Sequence, residues 1–193
     1  MNAPAFFPRT ETARHRFTVE DVWRMVEAGV LDDDAKIELL DGEIIDMASE
    51  GEVHLSLKAT LVRHLNRSLD DSWAVMPDGT IHLSPEDAPE PDAYVLPAGA
   101  TLRPVNPALV ELVVEISDST LARDLGRKAG KYAQYGLREY WVVDVNARVT
   151  YVLTDPVEGA YRESRTASFT EAITPRGLPQ LQVRFDELSP AQT

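Results

Sequence analysis

The chain has no cysteine. That excludes a disulfide framework, a thiolate metal site and a cysteine nucleophile, and it fits a reducing cytoplasm. No apolar run approaches the roughly 18 residues of a membrane span. The first sixteen residues hold only Ala5 to Phe7 as an apolar patch, between Pro4 and Pro8, so neither a membrane helix nor a secretory signal is expected. Positive charge is scarce: 19 Lys and Arg stand against 32 Asp and Glu, for a formal charge of -13. Coating nucleic acid non-specifically requires many cations on phosphates, so that class of protein is excluded. There is no Gly-x-Ser-x-Gly, phosphate-loop, zinc-finger or evident helix-turn-helix pattern, and His15, His64 and His82 lack metal-ligand spacing. Serine-hydrolase and nucleotide-binding readings therefore find little support.

What is present suits one globular domain. A chain of 193 residues, 44% hydrophobic and 26% charged, buries enough surface for a sizeable core. We expect a loose arm over residues 1–16 and a single domain over 17–193. Charge is unevenly spread. Residues 27–52 carry ten acids and one base, and residues 70–92 carry seven acids and no Lys or Arg. Residues 121–138 reverse the balance, with Arg123, Arg127, Lys128, Lys131 and Arg138 against Asp124 alone. Such basic segments can accept a polyanion locally on an acidic chain.

Pattern and turn chemistry predict the elements. Thr18, with Asp21 three residues on, caps a helix whose apolar residues Val19, Val22, Trp23 and Val26 recur at helical spacing up to Gly29. Asp41-Gly42 between Lys36–Leu40 and Glu43–Met47 predicts a hairpin with a type I′ turn. A helix over Glu52–Leu69 carries Leu57, Leu61, Leu65 and Leu69 on one stripe. Strands follow at Trp73–Met76, Thr80–Leu83 and Asp92–Leu96, then at Leu109–Ile116, whose nearly continuous apolar run predicts a central position buried on both faces. A helix over Thr120–Tyr135 ends at Gly136, and Glu139–Val145 gives another buried strand. Strands near Val149–Thr154 and Tyr161–Thr166 finish the sheet as a meander.

Four residues stand out chemically. Alternation puts Glu111, Val113 and Glu115 on one face of the central strand, so Glu115 is an acid near its end. On the next helix Lys128 falls about 20° from Leu121, beside the buried arc, while Arg123, Arg127 and Lys131 project away from it. An ammonium turned toward a core needs an anionic partner. Asp92 follows Pro91 at the start of a strand, and Glu38 faces opposite to its apolar neighbours Ile37 and Leu39. Each has a plain alternative: a solvated strand-end Glu115, an exposed Glu38, an ordinary loop-to-strand Asp92, or a helical pair of Lys128 with Asp124. Folded together, Glu38, Asp92 and Glu115 would give three hard oxygen donors, which suit Mg²⁺ or Mn²⁺. His54 lies on the stripe of Leu57, Leu61 and Leu65 and reads as a packed, hydrogen-bonded histidine, with a catalytic histidine as the alternative. Tyr132 reads as core with a hydroxyl contact to the site, and Trp23, Trp73 and Trp141 as packing residues.

Several strings together resemble the putative restriction endonuclease family, formerly a domain of unknown function, within the PD-(D/E)XK nuclease superfamily. They are Pro91-Asp92, Val113-Val114-Glu115-Ile116-Ser117-Asp118-Ser119-Thr120, then Asp124, Lys128, Tyr132, Gly136 and Glu139-Tyr140-Trp141-Val142-Val143-Asp144. Glu38-Leu39-Leu40-Asp41-Gly42-Glu43-Ile44 and His54 resemble the family's N-terminal half, and the likeness spans about Phe17 to Leu188. One departure from the superfamily is that Ser117 stands where a Lys is expected, and the family places that Lys on the following helix, at Lys128.

The resemblance implies an α/β fold with a mixed sheet flanked by helices, a restriction-endonuclease-like core with an N-terminal helix and hairpin. It also implies metal-dependent hydrolysis of nucleic-acid phosphodiester bonds, with DNA the foremost substrate. Asp92, Glu115 and the Ile116 carbonyl would hold the ion, Glu38 would complete its shell, and Lys128 would act electrostatically. A homodimer is expected, because one centre per chain needs two copies to cut a duplex. Two other classes compete: a catalytically silent binding or assembly protein retaining the fold, favoured by the acidic charge, and a two-carboxylate glycosidase, in which Lys128 would have no duty.

Overall fold

The computed structural model describes residues 14–102 and 104–188. Most of the expected N-terminal arm, residues 1–13, therefore lies outside the described residues. Helix α1 (Val19–Glu27) is capped as its sequence dictates. The Thr18 hydroxyl accepts from the Asp21 N–H, and the Asp21 carboxylate accepts from the Thr18 N–H. Strands β1 (Ile37–Leu40) and β2 (Glu43–Asp46) pair as a separate two-stranded hairpin. Asp41 and Gly42 have φ of 52° and 70°, the two left-handed positions a type I′ turn requires.

Gly42 also meets a close neighbour: a Cβ there would lie 2.6 Å from the Cβ of Arg16. Gly42→Ala is therefore expected to cost about 1 to 2 kcal/mol from the left-handed backbone alone, and more through displacement of Arg16. Chemical denaturation measures this, and a loss under about 0.5 kcal/mol, the scatter of ordinary surface substitutions, would show that the turn does not depend on glycine.

Helix α2 (Glu52–Ser68) lays Leu57, Leu61 and Leu65 against the main sheet, each burial contributing about 1.5 to 3 kcal/mol. That sheet has six strands in chain order: β3 (Trp73–Pro77), β4 (Ala93–Pro97), β5 (Leu112–Ser117), β6 (Glu139–Asp144), β7 (Val149–Val157) and β8 (Ala160–Ser168). All neighbours are antiparallel except β5 and β6, which run parallel. A parallel pair needs a crossover, and the helical segment 121–134 supplies it. Every residue of β5 and β6 is buried, as expected for central strands. Alternation divides β5 between two cores. Leu112, Val114 and Ile116 join α2 and the C-terminal segment ending in α5 (Phe185–Leu188), while Val113 faces Tyr132 and Ala129 of the crossover. Glu115 shares the face of Val113.

Three expectations need correction. Thr80–Leu83 is not a strand: Ile81 donates to the Pro89 carbonyl and Leu83 to the Asp87 carbonyl, folding the segment back on its own loop. Pro85, Pro89 and Pro91 have no N–H to continue a ladder. The central strand begins at Leu112, because Pro107–Leu109 forms a 3-10 turn. The crossover is not one regular α-helix either. Between α3 (Leu121–Arg123) and α4 (Ala129–Gln134) lies a π-helical turn, Asp124–Lys128, where the Ala129 N–H reaches back to the Asp124 carbonyl. The wider turn rotates residues before it relative to a 100° reckoning. Arg123, expected to point away, is brought inward. The expected outer arc is itself covered by the hairpin and the loop before β4: Arg127 donates to Asp41 and Glu43, and Lys131 pairs with Asp41 of the hairpin and Asp87 of the loop. The acids of residues 27–52 thus partly neutralise the crossover's bases.

Candidate active site

The register of β4 and β5 brings two carboxylates together. Ala93 pairs with Val114, so one step further along the antiparallel ladder Asp92 comes opposite Glu115, with side chains on the same face. Asp92 is fixed there on both oxygens. One accepts the Ile116 backbone N–H at 2.6 Å, and the other lies 2.7 Å from His54 Nε2. Asp92 and Glu115 both line a small cavity of about 60 Å³, together with Glu50, His54, Ile116, Asp118, Arg123 and Asp124.

Beneath Glu115 the crossover inserts Lys128. Its Nζ is 2.5 Å from Glu115 and 3.0 Å from Glu38, and the three side chains are nearly or wholly inaccessible. Burial pushes the Glu115 carboxyl up to about 8 against the downward pull of the Lys128 ammonium. For Lys128, burial would favour loss of the proton, but the carboxylates of Glu115 and Glu38 outweigh it and raise the ammonium's pKa. Tyr132 donates to Glu115 at 3.2 Å, the hydroxyl contact anticipated from sequence. Burial likewise raises Asp124, whose carboxylate accepts from Thr120.

The four residues singled out in the sequence therefore occupy one connected region, with different surroundings. Asp92 and Glu115 line the acidic cavity. Lys128 is absent from its lining, as is Glu38, which lies between Lys128 and Arg123 at 3.0 and 3.5 Å and borders a separate groove of about 230 Å³ beside α1.

Glu50 is not anticipated from sequence as a site residue, and His54 only as the alternative to a packed histidine. They precede and enter the first turn of α2, four residues apart, and with Asp92 they offer ligand atoms all within 4.8 Å of one another. Lys58, one turn further, lies 2.6 Å from Glu50, 2.7 Å from Asp78 and 3.7 Å from Asp92. Burial alone would lower the His54 pKa, but Asp92 and Glu50 outweigh it and raise it. Burial would raise the Glu50 carboxyl, yet Lys58 holds it below its usual range. The sequence signal is the polar ladder Glu50, His54, Lys58 at four-residue spacing, which overlaps the head of the leucine stripe.

The sequence model of the family described as Putative restriction endonuclease (Uma2) matches residues 20–188. The chain belongs to that family. No curated protein matches it. Among solved structures, the fold is similar to that of a putative nuclease belonging to DUF820 from Anabaena variabilis ATCC 29413. The TM-score is 0.68 at 12% sequence identity, over 89% of this chain and 97% of that one. At that identity the likeness shows the fold, a mixed sheet flanked by helices. No helix among the described residues is long and apolar enough to cross a membrane.

Carboxylate oxygens from Asp92 and Glu50 and one imidazole nitrogen from His54 lie within 4.8 Å of one another and fit a divalent cation; Glu115 lines the same cavity, and the oxygen-rich set suits Mg²⁺ or Mn²⁺. Among the described residues, the cavity collects five carboxylates around one arginine.

Proposed function

We propose that this member of the putative restriction endonuclease family hydrolyses phosphodiester bonds in nucleic acid, DNA foremost, with Mg²⁺ or Mn²⁺ held in the acidic cavity. One arrangement carries the reading: Asp92 and Glu115 open on a common cavity while Lys128 is held against Glu115 from behind. Asp92 and Glu115, with the Ile116 carbonyl, would hold the ion, and Glu50 and His54 would complete its shell. When bound, the ion would polarise the phosphodiester and lower the pKa of a water on it. Lys128 keeps Glu115 oriented and offsets negative charge near the reacting phosphate. Glu38 serves Lys128 as a buried counter-anion, which its lack of exposure supports.

The test incubates the purified protein with single-stranded DNA, duplex DNA and RNA at low salt, with Mn²⁺ or Mg²⁺ and then with EDTA. Low salt limits screening of the few local cations on a chain of charge -13. Cleavage of at least one polymer, abolished by EDTA, is expected. If no polymer is cut under any condition, the catalytically silent binding or assembly protein replaces this reading. Cutting both strands of a duplex calls for two cavities, so the reading includes a two-fold homodimer; a monomer by light scattering at micromolar concentration removes that part. A chain without cysteine suits the cytoplasm, where such a nuclease would meet DNA.

A further inference from the structure

We propose that Arg123 is the phosphate-binding side chain of the cavity, donating from its guanidinium to non-bridging oxygens of the nucleic-acid backbone. The inference rests on the nuclease reading and adds the protein group that touches the substrate. Among the described residues, Arg123 is the only arginine or lysine in the cavity lining. Lys128 cannot serve: its side chain is 2% exposed, enclosed by Glu115 and Glu38. The Arg123 side chain is 26% exposed, enough to meet a ligand at the cavity mouth.

The bonding of Arg123 is also incomplete. Its Nε is buried and has no hydrogen-bond partner among the described residues, and its two ion pairs are long, 3.5 Å to Glu38 and 3.8 Å to Asp124. Arg127, one turn later, shows what a structural arginine on this segment looks like. It donates to Asp41, Glu43 and the Leu40 carbonyl at 2.9, 3.0 and 2.5 Å. A buried N–H without an acceptor calls for an explanation, and a planar fork with free donors matches the paired oxygens of a phosphate. Electrostatics points the same way. Glu50, Asp92, Glu115, Asp118 and Asp124 around the cavity would repel a phosphate unless a bound cation and Arg123 together faced it.

The experiment measures binding of fluorescently labelled single-stranded and duplex oligonucleotides by anisotropy across a salt series. Ca²⁺ replaces Mg²⁺, and gels verify that the probe stays intact. Cleavage is assayed in parallel with Mg²⁺ or Mn²⁺. Arg123→Gln is expected to weaken binding about ten- to a hundredfold at low salt. It should also flatten the slope of log affinity against log salt by about 0.7 to 0.9, the signature of one lost phosphate contact. A merely structural arginine would not change that slope. Arg123→Lys keeps the charge and loses the fork, so it should keep the slope while cleaving about tenfold more slowly. This variant carries the test if Arg123→Gln does not fold. Wild-type slope and affinity in Arg123→Gln, or wild-type cleavage in Arg123→Lys, overturns the role of Arg123 while leaving the nuclease reading intact. A wild-type protein that neither binds nor cuts nucleic acid overturns both.

Discussion

Lys128→Ala is expected to lower folding stability by about 3 to 5 kcal/mol, the usual cost of removing one partner from a buried ion pair, and to slow cleavage by about 10² to 10³. The ammonium is shared by Glu115 at 2.5 Å and Glu38 at 3.0 Å, none of the three with appreciable access to water. Without it, among the described residues, Glu38 retains only Arg123 at 3.5 Å, and Glu115 retains only the Tyr132 hydroxyl. Burial already holds the Glu115 carboxyl at about 8 with the lysine beside it. Without the lysine its pKa climbs further, and charging it costs still more. The deficit of Lys128→Ala should therefore widen as pH rises past 8. Urea denaturation at pH 6 and pH 9 measures both effects. Adding Glu115→Gln should recover about 1 to 3 kcal/mol of the loss, because the two side chains are directly coupled. A single variant within about 1 kcal/mol of wild type would remove the buried triad as a stabilising unit. Lys131→Ala, whose lysine is partly exposed between Asp41 and Asp87, should leave the cleavage rate near wild type.

Local signals in the sequence specified local structure well. Thr18 and Asp21 give the capping box, Asp41-Gly42 gives the turn with two positive φ angles, and the apolar run into Ile116 gives the central strand, because each is governed by a few neighbouring residues. The failures involve distant partners or broken periodicity. Thr80–Leu83 has strand-like composition, but its N–H groups turn to the carbonyls of Asp87 and Pro89 within its own loop. The π turn at Asp124–Lys128 has no signature in hydrophobic spacing. A projection at a constant 100° per residue therefore puts Lys128 inward correctly and turns Arg123 the wrong way.

The same division holds at the site. Lys128 was legible because a cation on an apolar arc demands an anion, and Glu115 because alternation fixes its face. That Glu38 would also reach this cation depends on how the hairpin docks on the crossover, which no residue spacing encodes. The apolar stripe makes His54 a packing residue in the sequence, and only its likeness to the family keeps a catalytic role open. The structure gives it both environments: it sits at the head of the leucine stripe with its Nε2 on Asp92. Glu50 lies before the helix, in a segment whose acids look alike until the fold separates them.

Asp92→Asn is expected to abolish metal-dependent stabilisation and hydrolysis together. Asparagine is the informative substitution, since the Asp92 carboxylate accepts the buried Ile116 N–H at 2.6 Å, and alanine would leave that donor unsatisfied at a cost of about 1 to 3 kcal/mol. In the wild type, free metal at a hundred times its dissociation constant adds about 2.7 kcal/mol, which for a chain of this length raises the melting temperature by roughly 5 to 11 °C. The shift should appear with Mn²⁺ or Mg²⁺ and vanish with EDTA. Asp92→Asn should melt near the metal-free wild type whatever the ion concentration. Glu50→Gln and His54→Gln, which alter ligand atoms within 4.8 Å of one another and of Asp92, should reduce the shift. Glu38→Gln should preserve it even if the fold is weakened, since Glu38 serves Lys128 and does not line the cavity. An undiminished shift in Asp92→Asn would move the ion elsewhere. A shift lost in Glu38→Gln and kept in Glu50→Gln would restore Glu38 to the ligand shell and return Glu50 to its pairing with Lys58.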